Sequence, residues 1–308
     1  MFYKIAVRFV IILLVLLAIT YTSTSILLAK QLSHSNGLSL EEEKQWAIKN
    51  GVWTDPQDYN TEEYTVKGKD DYVLHCVLVY SDETENTNKY IIISHGYGSN
   101  RYGAAKYLPI YISLGYKCII YDLRGHGENA KSVCTVGNFE SQDLIKLIDD
   151  TYSRYGEDIY LGLHGESMGS STSLSALAYK PKVQFVVADC GFTNLYDLVK
   201  IQFENRKIGS VLPGTDCAMK IMYHYSMKET HAIDALQDND VPICFIHGKN
   251  DDFISCRNSE QMNEKTSGYS ELHLIDNAGH AESRRVLGVQ EYTKIVEDFF
   301  EKISEKDK

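Results

Sequence analysis

The chain has 308 residues, enough for one large α/β domain or two small ones, and its 44% hydrophobic content is that of a globular protein with a sizeable core. A formal net charge of -11 offers no basic face for phosphate, so no nucleic-acid partner is expected. The 22 tyrosines are read as amphipathic side chains on half-buried surfaces, ahead of a carbohydrate or aromatic-ligand platform.

Residues 1–29 stand apart. Lys4 and Arg8 precede Phe9 to Ala29, an uncharged stretch whose helical length of about 30 Å, at about 1.5 Å per residue, matches a bilayer core. A cleaved signal peptide would have a shorter apolar centre and a small-x-small site, so an uncleaved anchor is expected, with the signal peptide as the alternative. The basic residues lie before the span and Glu41-Glu42-Glu43 after it. The positive-inside rule therefore predicts a single pass through the cell membrane, with the N-terminus cytoplasmic and the remaining chain extracellular.

Residues 30–61 read as a polar tether carrying one short helix, Ser39 to Asn50, opened by Ser39 with Glu42 three residues on in a capping-box arrangement. From residue 62 to residue 305 the texture is that of a folded domain. Glu62 to Lys67 and Tyr72 to Ser81 predict an antiparallel pair at a sheet edge. Strands and helices then alternate. Tyr90 to Ser94 is a buried strand running into His95-Gly96-Tyr97-Gly98, followed by a helix over Tyr102 to Leu114. Lys117 to Asp122 is the next strand, followed by Leu123-Arg124-Gly125-His126-Gly127 and a helix over Asn138 to Tyr155.

A further apolar run reaches Gly165-Glu166-Ser167-Met168-Gly169, and a helix is predicted from Met168 to about Tyr179. The remaining strands are Val183 to Cys190, Val241 to Gly248 and Glu271 to Ile275, and an amphipathic helix over Val289 to Ile303 closes the chain. This alternation predicts an α/β fold with a mostly parallel central sheet and helices on both faces. The interval between the strands ending at Cys190 and opening at Val241 is too long for an ordinary crossover. Phe192 to Ala235 is read as an inserted lid, with a long crossover helix and surface loop as the alternative.

Seven cysteines leave at least one unpaired if the domain is oxidised. Cys76, Cys118, Cys190 and Cys244 fall in strand-like runs as buried thiols, while Cys134, Cys217 and Cys256 lie in loop or helix-edge contexts. There is no Cys-x-x-Cys and no zinc spacing, and neither a metal nor a cofactor is expected.

Strand, tight turn and helix around Ser167 make a nucleophile elbow, in which flanking glycines let a serine sit exposed on a strained turn. A serine is a weak nucleophile and needs a neutral imidazole to take its proton and a carboxylate to hold that imidazole. His280 follows the last predicted strand and Asp251 the one before, so all three open at the carboxyl ends of parallel strands. Asp252 is the rival for Asp251. His95, His164 and His247 are read as braces for loops, and His126 as part of a turn. Asp122 and Arg124 are expected to pair with each other, and Glu166 to be solvated or to tune the site locally.

In the order Ser, Asp, His, with the turns at His95-Gly96-Tyr97-Gly98 and Asp122 to Gly127, the chain resembles the α/β-hydrolase superfamily over roughly Glu62 to Ile303. In closer detail it is similar to bacterial membrane-anchored or secreted hydrolases of the prolyl-oligopeptidase-like and serine-aminopeptidase-like group. Ser255-Cys256 departs from the proline that many such relatives carry after the acid. The resemblance implies catalytic Ser167, Asp251 and His280, and an oxyanion hole from the backbone N–H groups of Tyr97 and Met168. A serine hydrolase acting on a small carboxylic ester through an acyl-enzyme is expected. A peptidase on short peptides and a non-catalytic binding module are the alternatives, and the oligomeric state is open.

Overall fold

The computed structural model describes residues 2–230 and 232–306. Its helices are α1 (Phe2–Ser33), α2 (Leu40–Lys49), α3 (Arg101–Ala104), α4 (Leu108–Ser113), α5 (Asn138–Tyr155), α6 (Met168–Ala176), α7 (Leu195–Asn205), α8 (Leu212–Tyr223), α9 (Arg257–Lys265) and α10 (Ser283–Lys306). The strands are β1 (Asn60–Lys67), β2 (Val73–Tyr80), β3 (Lys89–Ser94), β4 (Lys117–Tyr121), β5 (Tyr160–Glu166), β6 (Phe185–Asp189), β7 (Ile243–Gly248) and β8 (Ser270–Ile275). They form one 8-stranded sheet in the order β1-β2-β4-β3-β5-β6-β7-β8. β2 runs antiparallel to β1 and β4, and every other pairing is parallel.

Both faces of this sheet are buried, which is why its central strands are continuously apolar instead of alternating. Successive residues serve opposite sides. Ile92, Ile119, Tyr121 and Leu163 pack under α5 and α6 with Leu144, Leu147 and Leu174. Ile91, Ile93, Cys118 and Ile120 pack on the other side with Tyr107, Tyr111, Tyr292 and Phe299 of the α3 to α4 segment and α10. All seven cysteines are free thiols.

Two predicted helices are cut differently in the structure. Tyr102 to Leu114 is divided into α3, a 3-10 turn over Ala105–Tyr107, and α4, because Pro109 has no N–H to continue the ladder. At the other end α10 starts before the predicted Val289, with a break at Gly288 where φ is 72°.

The N-terminal region packs in part on the domain. Ser39 caps α2 as expected, its N–H donating to Glu42 Oε2 at 2.8 Å and its Oγ accepting from the Glu42 N–H at 3.3 Å. From there the segment packs on the domain: Leu38 N–H donates to the Gly98 carbonyl and Asn100 Nδ2 to the Leu38 carbonyl, each at 2.9 Å. Glu43, Ala47 and Val52 are buried. The last turns of α1 also belong to the fold, contrary to the expected separation of residues 1–29. Ser25 and Ala29 are buried near α8, Tyr21 Oη accepts from the Gly214 N–H at 3.2 Å, and Ser33 Oγ meets Tyr225 Oη at 3.1 Å. Only residues 2–23 of α1 are exposed along their whole length.

Candidate active site

β5 ends at Glu166, and the chain reverses into α6 at Ser167, whose φ of 54° and ψ of -115° put it in a conformation that L-residues seldom adopt. The two glycines of the pentapeptide are steric necessities. A Cβ on Gly165 would stand 2.2 Å from the Gly169 carbonyl oxygen, and one on Gly169 would stand 2.1 Å from that of Ser94. The elbow is thus clamped against the end of β3, with Ser167 only 8% exposed.

The loops after β7 and β8 bring Asp251 and His280 to this serine. His280 Nδ1 lies 2.7 Å from Asp251 Oδ2 and is assigned the proton, which leaves the Nε2 lone pair facing Ser167 Oγ at 2.9 Å. Asp252, the rival acid, is exposed and lies outside this line. Burial alone would raise the Asp251 carboxyl, but hydrogen bonds from His247, His280 and the Ile254 N–H hold it well below the usual carboxylate range. The acid therefore stays ionised across neutral pH. His247 braces a loop, as read from the sequence, and the loop it braces is that of Asp251. Its Nε2 faces the Ile254 carbonyl at 2.8 Å and Asp251 Oδ2 at 3.2 Å, so the proton is assigned there, and Nδ1 accepts from Ser259 Oγ at 2.7 Å.

Two further histidines fix the turn after β3. His95 Nδ1 donates to the Gly96 carbonyl at 2.7 Å and its Nε2 accepts from the Leu123 N–H at 3.0 Å. His126 Nδ1 donates to the Arg124 carbonyl at 2.8 Å and its Nε2 accepts from the Gly98 N–H at 3.1 Å. Burial lowers the basicity of both rings, so each keeps the acceptor that this arrangement requires. The turn is held against the elbow: a Cβ on Gly96 would lie 3.6 Å from Ser167 Cβ. Tyr97 follows directly, its phenol exposed and 3.4 Å from the carbonyl oxygens of Gln31 and Leu32.

Two expectations change here. Asp122 and Arg124 do not pair with each other. Asp122 binds Arg101, accepting its backbone N–H at 2.8 Å, while Gly125 turns the chain at φ 73° and Arg124 reaches Asp143 with Nη2 to Oδ1 at 2.6 Å. Glu166 is buried rather than solvated. It is ion-paired with Lys106 and accepts from Tyr107 Oη at 2.6 Å. Behind it lies Asp189, fully buried, which accepts from Tyr292 Oη at 3.0 Å and whose carboxyl burial pushes up to about 6. Lys106, Asp189 and their tyrosines were not singled out in the sequence. The available signals were a lone lysine inside an apolar helical stretch and an acid closing an apolar strand at the sheet's carboxyl edge.

Cys190 Sγ, an Asp251 oxygen and a His280 nitrogen lie within 4.8 Å of one another, atom types that can ligate a metal. Both His280 nitrogens and Asp251 Oδ2 are engaged in the Ser167 line, and burial pushes the Cys190 thiol up, so this trio fits the line better than a metal. The geometry is what a serine nucleophile needs: an oriented base in contact with it and an ionised acid in contact with the base.

The family described as serine aminopeptidase, S33, matches residues 85–240. The uncharacterized protein YqkD of Bacillus subtilis (strain 168) is 29% identical over 76% of this chain and 77% of its own length. Among solved structures, the Pyrococcus furiosus esterase Pf2001 superposes with a TM-score of 0.64 at 19% identity, covering 81% of this chain and 94% of that one. The Pyrococcus horikoshii acylaminoacyl peptidase gives 0.58 at 14% identity, covering 79% of this chain and 41% of that one. The chain belongs to the serine aminopeptidase S33 family of α/β-hydrolase-fold serine hydrolases.

Proposed function

We propose that the protein cleaves carboxylic esters through an acyl-enzyme formed on Ser167. The observation that carries this reading is the unbroken line from Ser167 Oγ to His280 at 2.9 Å and from His280 to Asp251 at 2.7 Å. His280 Nε2 takes the hydroxyl proton as Ser167 Oγ attacks the acyl carbon. The carbonyl π electrons move to oxygen, and the backbone N–H groups of Tyr97 and Met168 hold that oxyanion, the latter at the positive end of α6. Collapse breaks the bond to the leaving oxygen, which receives the proton from His280. Water then repeats the sequence, with His280 as its base, and releases the acid. Asp251 orients the ring and stabilises the imidazolium throughout.

Ester is preferred because the esterase superposes over nearly its whole length, whereas the acylaminoacyl peptidase carries a large part that this chain does not match. Cleavage of short peptides is the second reading, favoured by the family's description. The same proposal sets α1 across the cell membrane, with Lys4 and Arg8 on the cytoplasmic side and the domain outside, supported by the exposed apolar face of residues 2–23.

A fluorophosphonate probe is expected to label the protein and to fail with Ser167→Ala. Labelling retained in that variant overturns the nucleophile, and absence of labelling in the native protein favours a binding module. Chromogenic ester and aminoacyl panels of graded length separate the two enzymatic readings, and protease digestion of intact cells tests the side on which the domain lies.

A further inference from the structure

Beside His280 is a cavity of about 240 Å³ between α2 and the start of α10. Trp46, Asn50 and Val52 form one wall, and Lys106, Arg284 and Arg285 bring three cations to the other. In a chain of net charge -11 such a concentration of positive charge is against the average. Two of the cations are already matched: Lys106 pairs with Glu166 and Arg285 with Glu282. Glu282, which also lines the cavity, is further engaged by the Gly279 N–H at 3.1 Å.

Arg284 is different. It is 8% exposed, its Nε donates to the Lys106 carbonyl at 3.2 Å, and among the described residues no carboxylate pairs with it. A guanidinium taken out of water without a counter-charge is costly, and burial accordingly weakens its hold on its proton. Among the described residues, a chain with 42 acidic side chains thus leaves this buried cation beside His280 without a carboxylate. The position of the cavity says which part of a substrate reaches it. In the route proposed above, on which this inference rests, His280 hands a proton to the departing oxygen, so that oxygen lies within hydrogen-bond reach of Nε2. The group attached to it then meets the walls beside His280. The volume is below the roughly 300 Å³ at which pockets for whole drug-sized ligands begin, so it suits one substituent.

We propose that this cavity receives a compact oxyanion, carboxylate or phosphate, carried by the leaving group of the substrate, and that Arg284 is the residue that selects it. Guanidinium is suited to both anions because its planar fork can donate two parallel hydrogen bonds.

The test uses the full chain in detergent at fixed ionic strength and three esters with one acyl group. Their leaving phenols carry a carboxylate, a carboxamide or a phosphate at the same ring position. The native protein is expected to favour at least one anionic ester over the carboxamide by about tenfold or more in kcat/KM, chiefly through KM. The two anionic arms tell carboxylate from phosphate. Arg284→Leu is expected to bring the ratio close to one and Arg284→Lys to keep part of it. Free benzoate should compete better than benzamide in the native protein, a comparison that needs no variant to fold. Fluorophosphonate labelling reports the underlying reading separately. A native protein that labels but shows no anionic preference overturns the anion cavity alone, and one that does not label overturns the Ser167 reading beneath it. A preference that survives Arg284→Leu overturns the assignment to Arg284.

Discussion

Two polar assemblies flank Ser167, and they are built on opposite principles. In front, Asp251, His280 and the serine are joined end to end with one lone pair left for chemistry, and the imidazole is partly open to solvent. Behind, Glu43, Lys106, Glu166 and Asp189 are buried with Tyr107 and Tyr292. There three acids share one lysine. Burial raises the Glu43 carboxyl, one of its oxygens has no partner, and Asp189 is pushed up to about 6. The front keeps its acid ionised by surrounding it with donors, while the rear raises two of its acids by withholding water. The state of a carboxylate near Ser167 is therefore set by its donors more than by its distance.

Asp251→Asn breaks the front assembly while leaving its shape. Loss of the His280 tautomer is expected to lower kcat by about 10⁴, with the melting temperature nearly retained. A drop below tenfold would mean that the front assembly does not orient the base. Lys106→Met attacks the rear instead. It removes the cation facing Glu166 and Glu43, and a loss of about 3 to 5 kcal/mol in unfolding stability is expected, read by urea titration.

Asp189→Asn sharpens the contrast through pH. The native fold holds the Asp189 proton more tightly than the unfolded chain does, so folding binds protons between about pH 4 and about pH 6. This group's contribution is full below that window and is lost as pH rises through it. Asn cannot titrate, so the stability of the variant relative to the native protein should improve by a few kcal/mol across the window. A constant offset would show that Asp189 titrates normally. The smallest effect is expected from His247→Phe. Asp251 keeps His280 and its backbone donors, and kcat/KM should fall about tenfold.

Much of the front assembly was legible, because strand ends in a parallel sheet converge on one edge and Ser167, Asp251 and His280 each follow a strand that apolar continuity exposes. The resemblance preferred Asp251 to Asp252, and the structure joins Asp251 to His280, a choice that pattern alone does not make because adjacent residues on a loop differ in direction. The rear assembly was hidden for a related reason. Lys106 lies in the 3-10 turn that separates α3 from α4, Glu43 comes from a region read as a tether, and Asp189 looks like any acid ending a strand. Asp122 and Arg124 show the limit of sequence neighbourhood. Two opposite charges two positions apart went to different partners once Gly125 turned the chain.

By itself the sequence determined the sheet, the elbow and the apolar N-terminal helix, because period, steric demand at Gly165 and Gly169, and uncharged length are local properties. Tertiary structure alone decided that α2 closes a cavity over Arg284, that the last turns of α1 lie against α8, and that Glu166 is a buried ion. Those features depend on desolvation. Which charges lose their water is fixed by segments far apart in the chain, and no spacing along the chain encodes it.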